Sequence, residues 1–140
     1  MSLITRIRLN ANVTVSGGGA QTFYTSMIRG AELEAIVYQK ATVSGFSTAG
    51  HLAITAEQSG LVLLNVTTTG TSGVVLPYYP RALAQDVSGV PLGYTSAATP
   101  PGIPVRFPIA NEAIKIVASS GGTASNGGVG FQLDLYLKGL

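Results

Sequence analysis

Residues 129–138 read VGFQLDLYLK. Val129, Phe131, Leu133, Leu135 and Leu137 alternate strictly with Gly130, Gln132, Asp134, Tyr136 and Lys138. A period of two puts all five apolar residues on one face of a strand; a helix would scatter them around its axis. Leu133, in the middle of the run, is expected in the core. Just upstream, residues 112–118 (EAIKIVA) place Ile114 and Ile116 on one face and Lys115 on the other. Between the two runs lies SSGGTASNGG (119–128), where glycine permits positive φ and Asn tolerates it. The pattern predicts a long-looped antiparallel hairpin that closes the C-terminus.

Outward from there the chain stays β. Residues 3–9 (LITRIRL) alternate Leu3, Thr5, Ile7 and Leu9 against Ile4, Arg6 and Arg8. Further strands are predicted at 21–26, 51–57, 60–68 and 74–79. Another is predicted near 103–107, where Pro104 and Pro108 confine it to an edge or a short piece. Residues 31–41 (AELEAIVYQKA) fit a helix with Leu33, Ile36, Val37 and Ala41 inward, or a strand with Leu33, Ala35 and Val37 inward. The β surroundings favour the strand. Residues 80–102 form the least regular stretch, spaced by Pro80, Pro91, Pro100 and Pro101. The expectation is all-β: one domain over 1–140, an antiparallel β-sandwich of the jelly-roll type with seven or eight strands.

Composition narrows the function. Hydrophobic residues make up 46% of the 140, which excludes a disordered chain, yet charged residues make up only 10%, against about 25% in an ordinary soluble domain. Eight Lys and Arg against six Asp and Glu give +2, too few cations to neutralise a run of phosphates, so no nucleic-acid partner is expected. The longest apolar runs, such as Leu61–Leu64, fall far short of the roughly 18 residues of a membrane span. The opening MSLITRIRLNANVTV lacks the apolar centre of a signal peptide. With no cysteine there is no disulfide, thiolate nucleophile or thiolate metal site.

No chemistry-bearing motif survives inspection. His51 is the only histidine and has no acid beside it in its strand. Glu32 and Glu34 stand two apart on one strand face, about 6.8 Å, a separation open to glycoside hydrolysis. A solvated strand face explains the same pair, and there is no tryptophan to hold a sugar ring. Gly17–Gly19 lacks the Gly-Lys-Ser/Thr ending of a phosphate loop. Asp86 and Asp134 have no Asp-rich calcium loop around them. The Asn12 and Asn65 sequons read as ordinary strand sequence. No catalytic residue, cofactor or metal is expected, and the protein is not read as an enzyme.

The shortage of charge is the informative number. Fourteen charged groups over a surface of about 6,800 Å² leave roughly one per 490 Å², which suits a protein whose surface is largely covered by other proteins. Candidate contact residues are Arg6, Arg8, Tyr78, Tyr79, Arg81, Tyr94, Arg106 and Phe107. Arg6 and Arg8 project together, either as a solvated face or to meet acids of a neighbouring protein. The tyrosines sit in the proline-rich middle, either as core or as amphipathic anchors, since Tyr and Arg are enriched at interfaces.

The run Glu112-Ala-Ile-Lys-Ile-Val-Ala-Ser-Ser-Gly-Gly, with Gly128-Val-Gly-Phe-Gln-Leu-Asp-Leu-Tyr-Leu137, resembles the closing hairpin of small virion proteins of tailed bacteriophages. The length and the Cys-free, Gly/Ser/Thr-rich remainder are similar to the jelly-roll cement, or decoration, proteins of short-tailed phages. The detailed likeness covers about the last thirty residues, and the family has no functional motif to carry over. The resemblance implies a homo-oligomer, dimer favoured and trimer possible, made in the host cytoplasm. It would clamp the outside of a shell of major capsid protein against internal DNA pressure. The alternatives are another phage structural module (tail, baseplate or head fibre) or a carbohydrate-binding β-sandwich.

Overall fold

The computed structural model describes residues 3–13, 20–40, 51–67, 75–83, 88, 104–119 and 129–139. They form eleven strands and no helix: β1 (Ile4–Val13), β2 (Ala20–Tyr24), β3 (Ala31–Lys40), β4 (His51–Ala56), β5 (Val62–Thr67), β6 (Val75–Tyr78), β7 (Ala82–Leu83), β8 (Pro104–Val105), β9 (Pro108–Ile109), β10 (Ile114–Ser119) and β11 (Val129–Gly139). Eight of these have four residues or more, in line with the expected seven or eight. The ambiguous segment is a strand over its described residues, 31–40.

Two antiparallel sheets pack face to face. The first runs β1-β11-β3-β6, with β9 also pairing with β3; the second runs β2-β10-β4-β5; β7 and β8 form a separate two-stranded ribbon. Leu33, Ile36, Leu133 and Leu135 from the first sheet meet Leu52, Ile54, Ile114 and Ile116 from the second, all fully buried. Each such burial contributes about 1.5–3 kcal/mol. Phe131 crosses the gap, meeting Phe23 of the second sheet edge to face at 6.2 Å. Leu133 is in the core, as its alternation requires.

The predicted C-terminal hairpin does not form. β10 lies between β2 and β4, and β11 lies between β1 and β3, in opposite sheets. Chain adjacency suggested pairing, but a nine-residue connection is long enough to span the roughly 10 Å between packed sheets. Each strand also has two better partners. The long strands nest instead: first with last (β1–β11), second with next to last (β2–β10), then β3–β6 and β4–β5.

The inward phase of β3 also differs from expectation. In the β11 pairing Tyr136 faces Ala35 and Leu137 faces Leu33, which leaves Glu34 as an extra residue, a β-bulge. The bulge flips the phase. Leu33 is buried in the core before it and Ile36 and Tyr38 after it, while Ala35 and Val37, opposite Tyr136 and Asp134, take the outer side. Among the described residues, the strand prolines keep to the periphery: Pro77 lies on the edge strand β6, Pro104 and Pro108 in two-residue strands, where a missing N–H does no harm.

Candidate interaction surfaces

The register places most of the chain's charge on one side. On the outer face of the first sheet, Arg8 lies opposite Asp134 and Glu32 opposite Lys138. Arg8 donates to both oxygens of Asp134, from Nε at 2.8 Å and Nη2 at 2.9 Å. That pairing holds the Asp134 carboxyl below the usual range, against the opposing effect of its burial. Arg8 is therefore committed within the chain. Arg6, two residues back on the same face, is exposed.

The bulge makes Glu34 a hub. Its carboxylate accepts from Arg106 Nε, from Arg106 Nη2 at 3.4 Å and from Arg81 Nη2 at 3.5 Å. Arg81 Nη1 also donates to the Glu34 carbonyl, at 3.0 Å, and to the Pro80 carbonyl, at 2.7 Å. Along this edge of β3, β9 covers residues 31–32 and β6 covers 36–39. Arg81 satisfies a carbonyl in the gap between them, as a buried backbone group requires. Arg81 immediately precedes β7 and Arg106 immediately follows β8, so Glu34 clamps both legs of the ribbon at its base. The hydrogen bond from Arg106 is the main reason that Glu34 titrates below the ordinary carboxylate range.

The other candidates separate. Tyr78 is half-buried opposite Ile36, and its burial pushes the phenol's pKa up. Phe107 packs against the core while its carbonyl accepts from Leu33 N at 2.9 Å. Tyr79 is 65% exposed. Tyr94 lies outside the described residues, as does most of 80–102. The structure thus brings Arg81 and Arg106 together, with Tyr78, Tyr79 and Phe107 on the adjoining chain, and leaves Arg6 and Arg8 on the far strand.

Sequence reasoning missed two carboxylates. Asp134 reads as a lone acid until its cross-strand partner is known. Glu112, only 5% exposed, accepts from the backbone N–H of Gln58 at 3.0 Å and of Ser59 at 2.9 Å, and from the Ser59 hydroxyl. It thereby ties the turn after β4 to the segment before β10, and the Ser59 N–H is the chief cause of its lowered pKa. The only hint was the polar pair Asn111-Glu112 before an apolar run; Asn111 takes φ 53°, a left-handed conformation that Asn tolerates. His51 is half-buried at the start of β4, opposite Thr67 and Ser119. Among the described residues no group of three or more His, Asp or Glu stands together in a metal-binding arrangement.

One end of the sandwich is apolar and exposed. Leu3, Ile4, Tyr24, Met27, Leu61 and Val62 all lie there in the open. Beside them a shallow cleft of about 220 Å³ is lined by Thr5, Ile7, Ile28, Gly30, Ala31, Leu137 and Gly139. The chain matches no protein-family model, no curated protein and no solved structure.

Proposed function

We propose that this protein is a structural virion component, a cement protein that binds the outside of a phage head and stabilises the shell of major capsid protein. The observation that carries the reading is the exposed apolar end. Six large apolar side chains stand in water there on a chain with few charges to keep it dispersed, and exposed apolar surface of this kind marks protein-binding sites. The nested pairing of the eight long strands supports a jelly roll, an architecture used by viral capsid proteins. The protein acts by contact alone. It self-associates, a closed dimer being the commonest assembly, and two copies bridging neighbouring subunits gain avidity over one.

The test is to prepare phage particles without the protein and add it back at low and at about 0.5 M salt. Because the contact is largely uncharged, binding should survive the higher salt, and bound particles should resist heat-induced DNA release. Particles that never bind it, or that bind it without becoming more resistant, would remove the cement reading and promote a tail, baseplate or fibre role.

A further inference from the structure

The two outer faces of the sandwich are chemically unlike. The first sheet's outer face and its β3 edge hold Arg6, Arg8, Glu32, Glu34, Arg81, Arg106, Asp134 and Lys138, eight of the fourteen charged residues of the chain. The second sheet's outer face is almost uncharged. The pairing lays it out in rows across β2, β10, β4 and β5. The central row is Thr22, Val117, Ala53, Asn65, and the next, toward the apolar end, is Tyr24, Lys115, Thr55, Val62. Toward the other end stand Ala20, Ser119 and His51. Lys115 is the one Lys or Arg among these positions and makes no ion pair within the described residues.

We infer that the second sheet's outer face, continued onto Tyr24, Met27, Leu61 and Val62, is the surface that docks on the partner shell, with the charged face of the first sheet left toward solvent. The inference rests on the cement reading and adds to it the face that is used.

Charge and area together select the occupant. A partner with a charged surface would lose its hydration against this face and find almost no counter-charge, so the occupant is a neutral protein surface. A second copy stacked face to face would bury two Lys115 ammoniums, with no carboxylate on either face to receive them. The acids near Lys115 lie outside these rows: Glu112, three residues away, is buried and taken up by Gln58 and Ser59, and Glu57 sits past the end of β4 in the turn that follows. The occupant is therefore a different protein, offering a carbonyl or carboxylate to Lys115. The footprint sets how far the contact must extend. Four strands about 4.8 Å apart and about six residues long cover roughly 400 Å², half of the roughly 800 Å² per partner in a stable complex. The exposed apolar residues at the end of the sandwich are needed to complete it.

The experiment places one carboxylate on each face of the full-length protein. Ala53→Glu and Val117→Glu lie at the centre of the second sheet's outer face; Gln39→Glu adds the same charge to the outer side of the first. Each variant is checked by circular dichroism and melting, then titrated onto particles lacking the protein, with its own oligomeric state measured in parallel. Thr22→Glu, exposed on the edge strand β2, replaces either central variant that does not fold. Ala53→Glu and Val117→Glu should weaken particle binding by about 30-fold or more, the effect of an unpaired charge in a buried contact. Gln39→Glu should bind like the parent, and self-association should not change. If the parent binds and the second-sheet variants bind equally well, the docking face is wrong while the cement reading stands. If those variants lose self-association instead, the face joins copies of this chain and the inference falls. A parent protein that does not bind particles overturns both.

Discussion

A carboxylate taken out of water needs partners, and the two buried acids among the described residues find them in different ways. Asp134 meets a guanidinium across a strand pair, so its charge is balanced by Arg8. Glu112 meets no cation; two backbone N–H groups and a hydroxyl fill its oxygens. The second arrangement makes Glu112 a cap on the 57–60 turn. Glu112→Ala leaves the Gln58 and Ser59 amides without their acceptor, and a part-buried unpaired donor costs about 1–3 kcal/mol. The expected outcome is a lower urea midpoint with an unchanged strand signature in circular dichroism. A midpoint equal to the parent's would mean that water replaces the carboxylate at no cost.

At the scale of elements, β10 and β11 show why a loop's length matters more than its composition. Residues 120–128 have the glycines and Asn of a hairpin turn, yet they join strands in opposite sheets. A two-residue Asn-Gly turn in place of residues 120–128 folds back on itself, holding its flanking strands about 4.8 Å apart, and would force β10 beside β11. Both strands already have a neighbour on each side, so that pairing would break two ladders to make one. The variant should lose cooperative unfolding, followed by near-ultraviolet dichroism and by amide exchange. A variant that melts like the parent would contradict the topology. The bulge at Glu34 follows the same logic: one extra residue in β3 moves Ile36 and Tyr38 into the core and turns a surface carboxylate into the clamp for two arginines.

Over the whole molecule the lowered carboxylates act together. Glu34, Glu112 and Asp134 all titrate below their ordinary values in the folded state. The unfolded chain therefore binds more protons than the folded one as pH falls, and stability falls with it. The contribution of the three is complete above the unfolded carboxylate values near about 4 and is lost as pH drops through their folded values. Solvent screening reduces the share of Glu34, which is partly exposed. Urea midpoints should be level from about pH 8 to 5 as far as these groups are concerned, then decline toward about pH 2. The decline should be shallower in Asp134→Asn. A midpoint that rises on acidification would show that burial, and not hydrogen bonding, controls these groups.

The all-β class, the strand positions and the burial of Leu133 were legible because side-chain alternation is local: each residue reports its own face through its neighbours two positions away. The same locality explains why residues 31–41 could be read as a strand but not as a bulged one, since the extra residue exists only relative to β11. Arg8 and Asp134 lie 126 positions apart, and no pattern in either strand announces the other. Arg81 and Arg106 could be picked out as neighbours of a proline-rich excursion, but their common attachment to Glu34 could not. Which strands pair, which sheet each joins and which face is left without charge depend on long-range hydrogen bonding and on packing two sheets around one core. Those choices minimise free energy over the whole chain, and only the tertiary structure makes them.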